Sequence, residues 1–594
     1  MKHYWGDSMR IGLVKALFIT IGVSAILVGQ PRAGIPDAVH PDYTLKEVPF
    51  PAKYQNTGLN FMKDGRMVLA VIDDIGQGEV HKTSNTNTEV MMVTGYDQDD
   101  PAKLKIEKIS NTWSELIGAT VANDKLYVSD RDGFYEIPQL TNPTDVTKNR
   151  RLVVKWPDEN TWAQGFQWHQ FAFTPIFTKG FFYAPYSGSI KQGGQSNVDA
   201  TTKMSGAFLK WDLSGKLEGF AGGLRSPNGA NVDEATGDMF ITDNQGSWFP
   251  ASTFQQIKQG KFYGHRQTPP NLPNWAESLP YDPPTAWLPY RTVRSSPSQP
   301  IVIPQGNFAG DWLIGDVTHP GLIRVALDKV NGIYNGAVFF FTQGMNLAAL
   351  NRLAYGPDGS LYLASLRSIG GNWPDGPIAG IYRLTAKPKA TAFEMRAVRS
   401  LADGLELEFT QPVDADKVVA SAFIAKQWQY IREAAYGGGK QADQTLTISG
   451  VDVSTDKMRV HLKIAGMVID RTIHVKHTGI TSGGKAPWND ESWFTLNAIS
   501  TRTWTAVTGI GKSVARNAVA GHALLHLDGP GLISVKVEAV GNWNATLVSS
   551  NGAIVSHQSG TGTSQFQMGG ASQSGLHFLR VEMHDGTLVK KVLL

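Results

Sequence analysis

Short apolar runs, each preceded by a polar turn, recur along the first two thirds of the chain. The six copies read MKDGRMVLAV (62–71), ANDKLYVSD (122–130), FTKGFFYAPY (177–186), EATGDMFITD (234–243), FAGDWLIGD (308–316) and GPDGSLYLAS (356–365). A tight turn that leads into a buried strand has this pattern. The turns recur every 49 to 73 residues, and a repeat of that length indicates an array of four-stranded units. We therefore predict an all-β fold that begins with a six-bladed β-propeller over residues 40–385.

The pattern changes after the last repeat. LTAKPKATAF (384–393) is typical of a linker, and residues 392–498 then hold four alternating stretches: GLELEFT, QTLTISGV, MRVHLKIAGMV and ESWFTLN. This alternation predicts a β-sandwich. Residues 505–594 predict a small C-terminal β-sandwich that ends in a hairpin turning at Asp585-Gly586. Helical periodicity is limited to brief stretches near 415–434.

Composition narrows the classes of function. The 594 residues carry a net charge of +3 and contain no cysteine. Without cysteine there are no disulfides, no thiolate metal sites, no cysteine nucleophile and no covalently attached c-type haem. The positive charge forms no basic run, which argues against nucleic acid as a partner.

The N-terminus carries a targeting signal. Lys2, Arg10 and Lys15 precede the apolar run ALFITIGVSAILVG (16–29), and small residues follow. This order predicts a secretory signal peptide over residues 1–33, with a retained N-terminal anchor as the alternative. We expect a secreted or cell-surface protein.

Candidate chemistry lies in the loops that approach the repeat strands. His169 precedes the third repeat strand and is a natural general base, unless it is hydrogen-bonded within its blade. Arg225 precedes a Pro-Asn-Gly turn, where its fork of donors suits a carboxylate or a sugar oxygen; a salt bridge between blades is the alternative. In the later blades Thr318, His319, Asn351 and Arg352 face either the mouth of the propeller or solvent.

The loop TDNQGSW (242–248) follows the fourth repeat strand. Its side-chain oxygens and the carbonyls of Gly246 and Ser247 are hard ligands of the kind that Ca²⁺ prefers. A turn capped by Asx side chains is the alternative explanation.

Four of these loops together resemble the glucose/sorbosone dehydrogenase family, whose members are six-bladed propellers that use pyrroloquinoline quinone. The resemblance is carried by WHQ (168–170), LRSPNG (224–229), DNQGS (243–247) and KFYGH (261–265), and it covers residues 40–385. It implies that His169 and Arg225 are the catalytic residues, with His169 taking the proton from a sugar hydroxyl, and that Gly246 and Ser247 hold Ca²⁺. It also implies a group of residues around the quinone, namely Gln170, Arg225, Gln245, Thr318, His319 and Arg352.

The chain departs from the family pattern where the family places cationic or polar groups. Ser226 follows Arg225 where the family has Asn, Thr318-His319 replaces a Lys on the fifth blade, and Arg352 stands alone where the family has two arginines. These groups neutralise a cofactor with three carboxylates, and each charge-assisted contact is worth about 1.5–3 kcal/mol.

The remaining domains show resemblances of their own. Residues from FEMRAVRSLADG (393–404) onward, with AAYGGGK (434–440), resemble the Ig-like domain that follows such propellers in large secreted bacterial proteins. The final hairpin, GLHFLRVEMHDGTLVKKVLL (575–594), resembles the C-terminal sorting domain of type IX secretion cargo. That resemblance implies the secretion machinery or the cell surface as a partner, and a plain β module is the alternative.

Two functions follow. The first is a quinone-dependent dehydrogenase that oxidises a sugar or polyol and passes electrons to an external acceptor. The second is a non-catalytic cell-surface propeller that binds glycans at an aromatic, polar mouth.

Overall fold

The computed structural model describes most of the chain after residue 38. The described ranges are 39–51, 54–73, 85–156, 172–188, 204–266, 280–318, 321–343, 349–366, 380–388, 391–506, 522–529, 532–538, 542–549, 554–569, 576–583 and 586–593. Within these ranges there is no α-helix, and therefore no apolar helix that is long enough to cross a membrane. The chain forms two compact units, residues 1–508 and 509–594.

Six four-stranded antiparallel sheets, the blades, occupy the first part of unit 1. The first strand, β1 (Tyr43–Val48), belongs to the last blade. Blade 1 contains β2 (Tyr54–Phe61), β3 (Met67–Asp73), β4 (Asn85–Thr94) and β5 (Lys105–Trp113). Blade 2 contains β6 (Gly118–Ala122), β7 (Lys125–Ser129), β8 (Gly133–Ile137) and β9 (Arg151–Lys155), and blade 3 contains β10 (Ile176–Thr178), β11 (Phe181–Pro185), β12 (Phe208–Trp211) and β13 (Leu217–Ala221).

The other three blades follow in chain order. Blade 4 contains β14 (Pro227–Asp233), β15 (Asp238–Asp243), β16 (Ser252–Ile257) and β17 (Ala286–Leu288). Blade 5 contains β18 (Pro297–Val302), β19 (Trp312–Asp316), β20 (Ile323–Val330) and β21 (Ile333–Phe340), and blade 6 contains β22 (Leu350–Tyr355), β23 (Leu361–Ser365) and β24 (Ile381–Ala386). The first strand of each blade contacts the first strand of the next, and β22 contacts β2, so the blades form a closed ring.

The N-terminal strand closes this ring. β1 pairs antiparallel with β24, from Tyr43 opposite Ala386 to Val48 opposite Ile381, and so supplies the fourth strand of blade 6. The two ends of the propeller sequence therefore share one sheet, which ties the last blade to the first.

Side chains from alternate positions pack between neighbouring blades. In β15, Met239 and Ile241 enter the apolar cluster shared with blade 3, whereas Phe240 enters the cluster shared with blade 5. Both faces of the strand are therefore buried. This explains why apolar residues stand at consecutive positions in the second strand of each repeat.

The guanidinium of Arg352 lies at the centre of the ring. Its Nε donates to the carbonyl of Thr57 (2.9 Å), its Nη2 to that of Ile117 (3.1 Å) and its Nη1 to those of Asn228 (3.1 Å) and Asn351 (2.8 Å). Thr57, Asn228 and Asn351 are the extra residues of β-bulges in their first strands. One side chain thus joins four blades through their backbones.

The second domain continues a propeller blade. β21 pairs with β32 (Glu491–Leu496), which places β32, β31 (Arg471–His477), β27 (Phe423–Gln429) and β28 (Gln441–Leu446) in one eight-stranded sheet with blade 5. The other sheet of this β-sandwich contains β25 (Met395–Leu401), β26 (Gly404–Phe409), β30 (Arg459–Ile464) and β29 (Ile448–Val453). Their shared core includes Phe339 of β21, so the propeller and the sandwich bury one apolar cluster together.

A buried charge network strengthens this junction. Glu394, which precedes β25, accepts from His40 Nε2 (2.5 Å) and from Asn489 Nδ2 (2.6 Å), and Arg324 Nη2 lies 3.5 Å from the same carboxylate. Arg324 also contacts Asp311 at 2.7 Å. The network connects the N-terminal segment, blade 5 and the sandwich.

Unit 2 is a separate β-sandwich with two antiparallel sheets. One contains β33 (His522–Gly529), β34 (Leu532–Glu538) and β37 (Ser564–Gly569). The other contains β36 (Ile554–Thr561), β35 (Asn542–Ser549), β38 (Leu576–Met583) and β39 (Gly586–Leu593). Val535, Leu547 and Leu579 are among the residues of its core.

The predicted all-β class, a propeller followed by β-sandwich domains, is confirmed. The helical stretches predicted near 415–434 are wrong: single 3₁₀ turns at Ala415–Lys417 and Ala420–Ala422 lead into β27. In β27 the buried residues Phe423, Ala425 and Gln427 stand at every second position. This period of two is that of a strand and differs from the 3.6-residue period of a helix. The predicted signal peptide at residues 1–33 lies outside the described residues.

We predict that Arg352→Met lowers the free energy of unfolding by about 2–4 kcal/mol, because several buried carbonyls lose their donor while the removal of a buried charge offsets part of the loss. Chemical denaturation measures the change. Arg151→Met is the matched control: Arg151 is 60% exposed beside Glu136, and its removal should cost less than about 1 kcal/mol. Equal stability of the Arg352→Met variant and the native protein would contradict a structural role for the central guanidinium.

Candidate functional site

The loops that connect the blades emerge on one face of the ring, which we call the mouth face. Pro227 at the start of β14 pairs with Asp243 at the end of β15, and Pro297 pairs with Asp316 in the same way in blade 5. The residues before the first strand and those after the second strand of a blade are therefore neighbours on this face. The candidate site is built from such loops of blades 4 and 5.

A carboxylate organises each of these two blades at the mouth face. The oxygens of Asp243 accept from the backbone N–H groups of Arg225 (2.8 Å) and Ser226 (2.7 Å). In blade 5, Asp316 accepts from Ser295 (2.8 Å) and Ser296 (2.9 Å). Each aspartate thus orders the loop that leads into its first strand.

Arg225 lies against the loop that follows β15. Its side chain is 3% exposed, and a Cβ at Gly246 would collide with its guanidinium. Only glycine allows the loop to come this close. The guanidinium also lies 5.4 Å from the ring centre of Tyr436, which belongs to the second domain.

Residues 432–438 of the second domain, the cover segment, bind this same loop. The N–H of Gly437 donates to the carbonyl of Gly246 (2.9 Å), and the N–H of Trp248 donates to the carbonyl of Glu433 (2.8 Å). Ser247 and Tyr436 form an antiparallel bridge. The backbone of the loop is therefore paired with the backbone of another domain.

Arg432 fixes the cover segment through an aromatic cage. Its guanidinium carbon lies 4.1 Å from the ring centre of Phe249, 4.8 Å from that of Tyr281 and 5.1 Å from that of Trp287. Its Nη1 donates to the carbonyl of Trp248 (3.2 Å). A cation that stacks on several desolvated rings gains more than one at the protein surface.

Burial shifts the titration of the charged groups in this cluster. It raises the pKa of Asp243 to about 6, against the lowering effect of the two backbone N–H groups. Burial, together with Arg225 and Arg432, lowers the pKa of His265 to about 3. His265 is therefore neutral at physiological pH, and the cluster carries more positive than negative charge.

The structure brings together some of the residues predicted from the sequence and separates others. Arg225, Gln245, Gly246 and Ser247 meet beneath the cover segment, and Gln245 Nε2 donates to the Tyr436 hydroxyl (3.2 Å). His169, Gln170 and His319 lie outside the described residues. No group of three or more acidic, histidine or cysteine side chains placed to hold a metal is present in the described part of the chain.

Two other predicted residues make contacts within the protein. Thr318 donates from its N–H (2.6 Å) and its hydroxyl (3.0 Å) to Asp316, as a turn capped by aspartate does. Arg352 is 1% exposed at the centre of the ring. Their contact with a cofactor stays a prediction.

Sequence reasoning missed two arginines near the mouth face: Arg294, which is buried, and Arg432, whose guanidinium packs among three aromatic rings. Arg294 lies in the connection between β17 and β18, and Arg432 reaches blade 4 from the second domain. A signal for Arg432 existed in IREAAYGGGK (431–440), where a glycine run follows charged residues between two strands. Its docking place depends on tertiary contacts that no local pattern encodes.

Comparisons with known proteins find similarity only among solved structures. An oxidoreductase described as a glucose dehydrogenase from Thermus thermophilus is 16% identical, with a TM-score of 0.42, over 58% of this chain and 100% of that one. The apo-form aldose sugar dehydrogenase from Escherichia coli is 13% identical (TM-score 0.39; 58% and 100% covered). The form of the Streptomyces coelicolor aldose sugar dehydrogenase with bound pyrroloquinoline quinone is 15% identical (TM-score 0.40; 59% and 100% covered). No family model and no curated protein matches the chain.

We predict that Arg432→Met loosens the cover segment. Loss of the caged cation should lower hydrogen-exchange protection of the Trp248 and Gly437 amides by about tenfold, since a desolvated cation–π contact is worth about 1–2 kcal/mol. Exchange followed by mass spectrometry or NMR gives the readout. Lys440→Met is the control, because Lys440 lies 3.9 Å from the ring centre of Trp428 instead. Unchanged protection of both amides in Arg432→Met would show that the cage does not hold the segment.

We also predict a pH-dependent effect of Asp243→Asn. A carboxyl whose pKa is higher in the folded protein than in the unfolded one stabilises the fold fully below about pH 4, and it stabilises less as pH rises through about 6. The stability difference between native protein and variant should therefore be larger at pH 4.5 than at pH 7. Urea denaturation at both pH values tests this. Asp145→Asn, at an exposed site whose neighbour Thr147 lowers the pKa, should show a constant difference over this range. A stability difference between the native protein and Asp243→Asn that grows as pH rises would contradict a raised pKa for Asp243.

Proposed function

We propose that this protein is a carbohydrate-binding propeller whose mouth face takes a small sugar or glycan without quinone chemistry. The observation that carries the proposal is the contact between the cover segment and blade 4, in which the carbonyl of Gly246 accepts from Gly437. The loop predicted to hold Ca²⁺ is paired with backbone of the second domain instead.

The described residues do not fit a calcium–quinone pair in the predicted arrangement. A calcium ion needs six to eight oxygen ligands, and here the carbonyl of Gly246 already accepts from Gly437, while Ser247 lies in a backbone bridge with Tyr436. The guanidinium of Arg352 donates to carbonyls of four blades and is enclosed among them. We therefore derive no oxidation step through a quinone.

Exposed aromatic side chains support a sugar ligand. Tyr290 (37% exposed) and Tyr436 (45%) are the two aromatic members among the well-exposed large apolar side chains of the described residues. Tyr290 lies in the connection that leads to β18 and Tyr436 in the cover segment, so both belong to the blade 4 and 5 side of the mouth face. Tyrosine offers an apolar ring with a polar end, which suits a ligand with apolar faces and hydroxyl edges.

The predicted signal peptide and C-terminal domain agree with this proposal. We infer that the protein is secreted or held at the cell surface, through the secretion machinery that the C-terminal hairpin resembles. Glycans are abundant ligands in that location.

A second candidate function is a quinone-dependent sugar or polyol dehydrogenase. It is favoured by the packing of Arg225 against Gly246, since these two residues were predicted to share one site. In this candidate His169 acts as the base at the sugar hydroxyl, and an external acceptor takes the electrons. The cover segment would have to leave the loop before a cofactor could bind.

Glycan binding tests the proposal. We expect the native protein to bind members of a glycan array, and Tyr290→Ala and Tyr436→Ala to weaken that binding about tenfold or more. Ile333→Ala is the matched control, because Ile333 is 45% exposed at the start of β21, away from the mouth face, and should leave binding unchanged.

Addition of pyrroloquinoline quinone and Ca²⁺ to the same protein separates the two candidates. The binding proposal expects no dye reduction with aldoses. Turnover that depends on the quinone and is lost in His169→Ala would contradict the binding proposal and support the dehydrogenase. An array without bound glycans, for protein shown to be folded, would rule out the binding proposal.

A further inference from the structure

Arg294 is a buried cation with unused hydrogen-bond donors. It lies in the connection between β17 and β18, is 1% exposed, and donates from Nη1 to the carbonyl of Val293 (2.9 Å). Its Nε and Nη2 meet no acceptor in the described structure. Buried polar groups almost always have partners, so a guanidinium with two open donors needs an explanation.

The carboxylate of Asp316 does not supply the missing acceptor. Asp316 attracts Arg294 electrostatically, but its oxygens accept from the N–H groups of Ser295, Ser296 and Thr318. No ion pair joins Arg294 to an acidic group within the described residues. Its burial lowers its pKa to about 10, which leaves it charged at physiological pH.

Further charged groups lie in the loop that follows β15, next to the loop of Arg294. A chain of hydrogen bonds links the two loops: the N–H of Gln245 donates to Ser252 Oγ (3.1 Å), which donates to the carbonyl of Ser295 (2.9 Å). The buried pair Arg225 and Asp243 lies at the first of these loops, and Arg294 and Asp316 lie at the second. The guanidinium of Arg432 packs on Phe249 of the first loop. A buried charge is costly unless its hydrogen-bonding groups have partners, so an anionic ligand that accepts from the open donors of Arg294 would stabilise this region.

The open donors also have a recognisable geometry. Nε–H and one N–H of Nη2 lie on the same edge of the planar guanidinium and point in nearly the same direction. That edge matches the two oxygens of a carboxylate and forms a bidentate pair with it. Both groups are shielded from bulk solvent, so a carboxylate that reaches them meets a weakly screened charge.

We propose that Arg294 is the receiving group for a carboxylate on the ligand of the mouth face, and that the ligand is an acidic sugar of the uronate class. This inference rests on the proposed carbohydrate-binding function and adds its substrate class. The carboxylate pairs with the Nε and Nη2 edge, while the sugar ring extends toward the exposed ring of Tyr290 in the same connection.

Calorimetric titration with D-glucuronate and D-glucose tests the inference, because the two sugars differ only by the carboxylate. We expect glucuronate to bind the native protein at least tenfold more tightly than glucose, with an affinity that falls as salt rises. Arg294→Met should remove this preference. Arg294→Lys keeps the positive charge but lacks the paired donors of a guanidinium, so it should retain part of the preference for glucuronate. The same variant tests the inference if Arg294→Met does not fold. Arg151→Met, at an exposed arginine of blade 2, should behave like the native protein.

The possible results separate this inference from the proposed function. Equal binding of glucose and glucuronate would overturn the role of Arg294 and leave carbohydrate binding intact. Binding of pyrroloquinoline quinone alone, lost in Arg294→Met, would keep Arg294 as a carboxylate receptor and assign the carboxylate to a quinone, against the proposed function. Failure of all three compounds to bind would overturn the inference.

Discussion

The ring of blades depends on one buried side chain at its centre. Six sheets arranged around an axis bring their first strands close together, and bulges in the first strands of blades 1, 4 and 6 leave backbone carbonyls available at the centre. Arg352 supplies these donors from one guanidinium, with bonds to Thr57, Ile117, Asn228 and its neighbour Asn351. The charge has no acidic partner within bonding distance among the described residues, and burial lowers its pKa to about 9. The desolvated cation is therefore stabilised by carbonyl dipoles alone. Several carbonyl groups accept from the one guanidinium, and together they offset the cost of its burial.

The sequence allowed the repeats to be predicted because both faces of the second strands are buried. In MVLAV (67–71), Met67, Leu69 and Val71 pack toward blade 6 while Val68 and Ala70 pack toward blade 2, so this run contains no polar residue. The closing strand β1 was not predicted, since YTLKEV is partly exposed and its partner lies more than 330 residues away. Local pattern carries no information about such a long-range pairing.

The candidate site was predicted less completely than the fold, for a related reason. The convergence of Arg225 with the loop at Gly246 could be expected from the order of the motifs. The docking of the cover segment and the burial of Arg294 and Arg432 depend on two domains that meet in three dimensions. The sequence also does not show whether an arginine forms a salt bridge, donates to carbonyls or binds a ligand. These roles are distinguished by the number of acceptors that its guanidinium meets in the structure. Arg352 donates to several carbonyls and is therefore a structural group, whereas Arg294 leaves two donors open and is a candidate receptor.

The eight-stranded sheet that joins blade 5 to the second domain limits how this protein can be divided. β21 is the outer strand of a blade, and β32 covers the edge that a lone propeller would leave open. Excision of residues 40–388 would uncover the N–H and C=O groups of β21 together with Phe339, and unpaired edges of this kind recruit strands from other molecules. Blades 1–6 and the sandwich thus form one folding unit, and recombination that separates them would yield self-associating pieces. Unit 2 has an apolar core of its own.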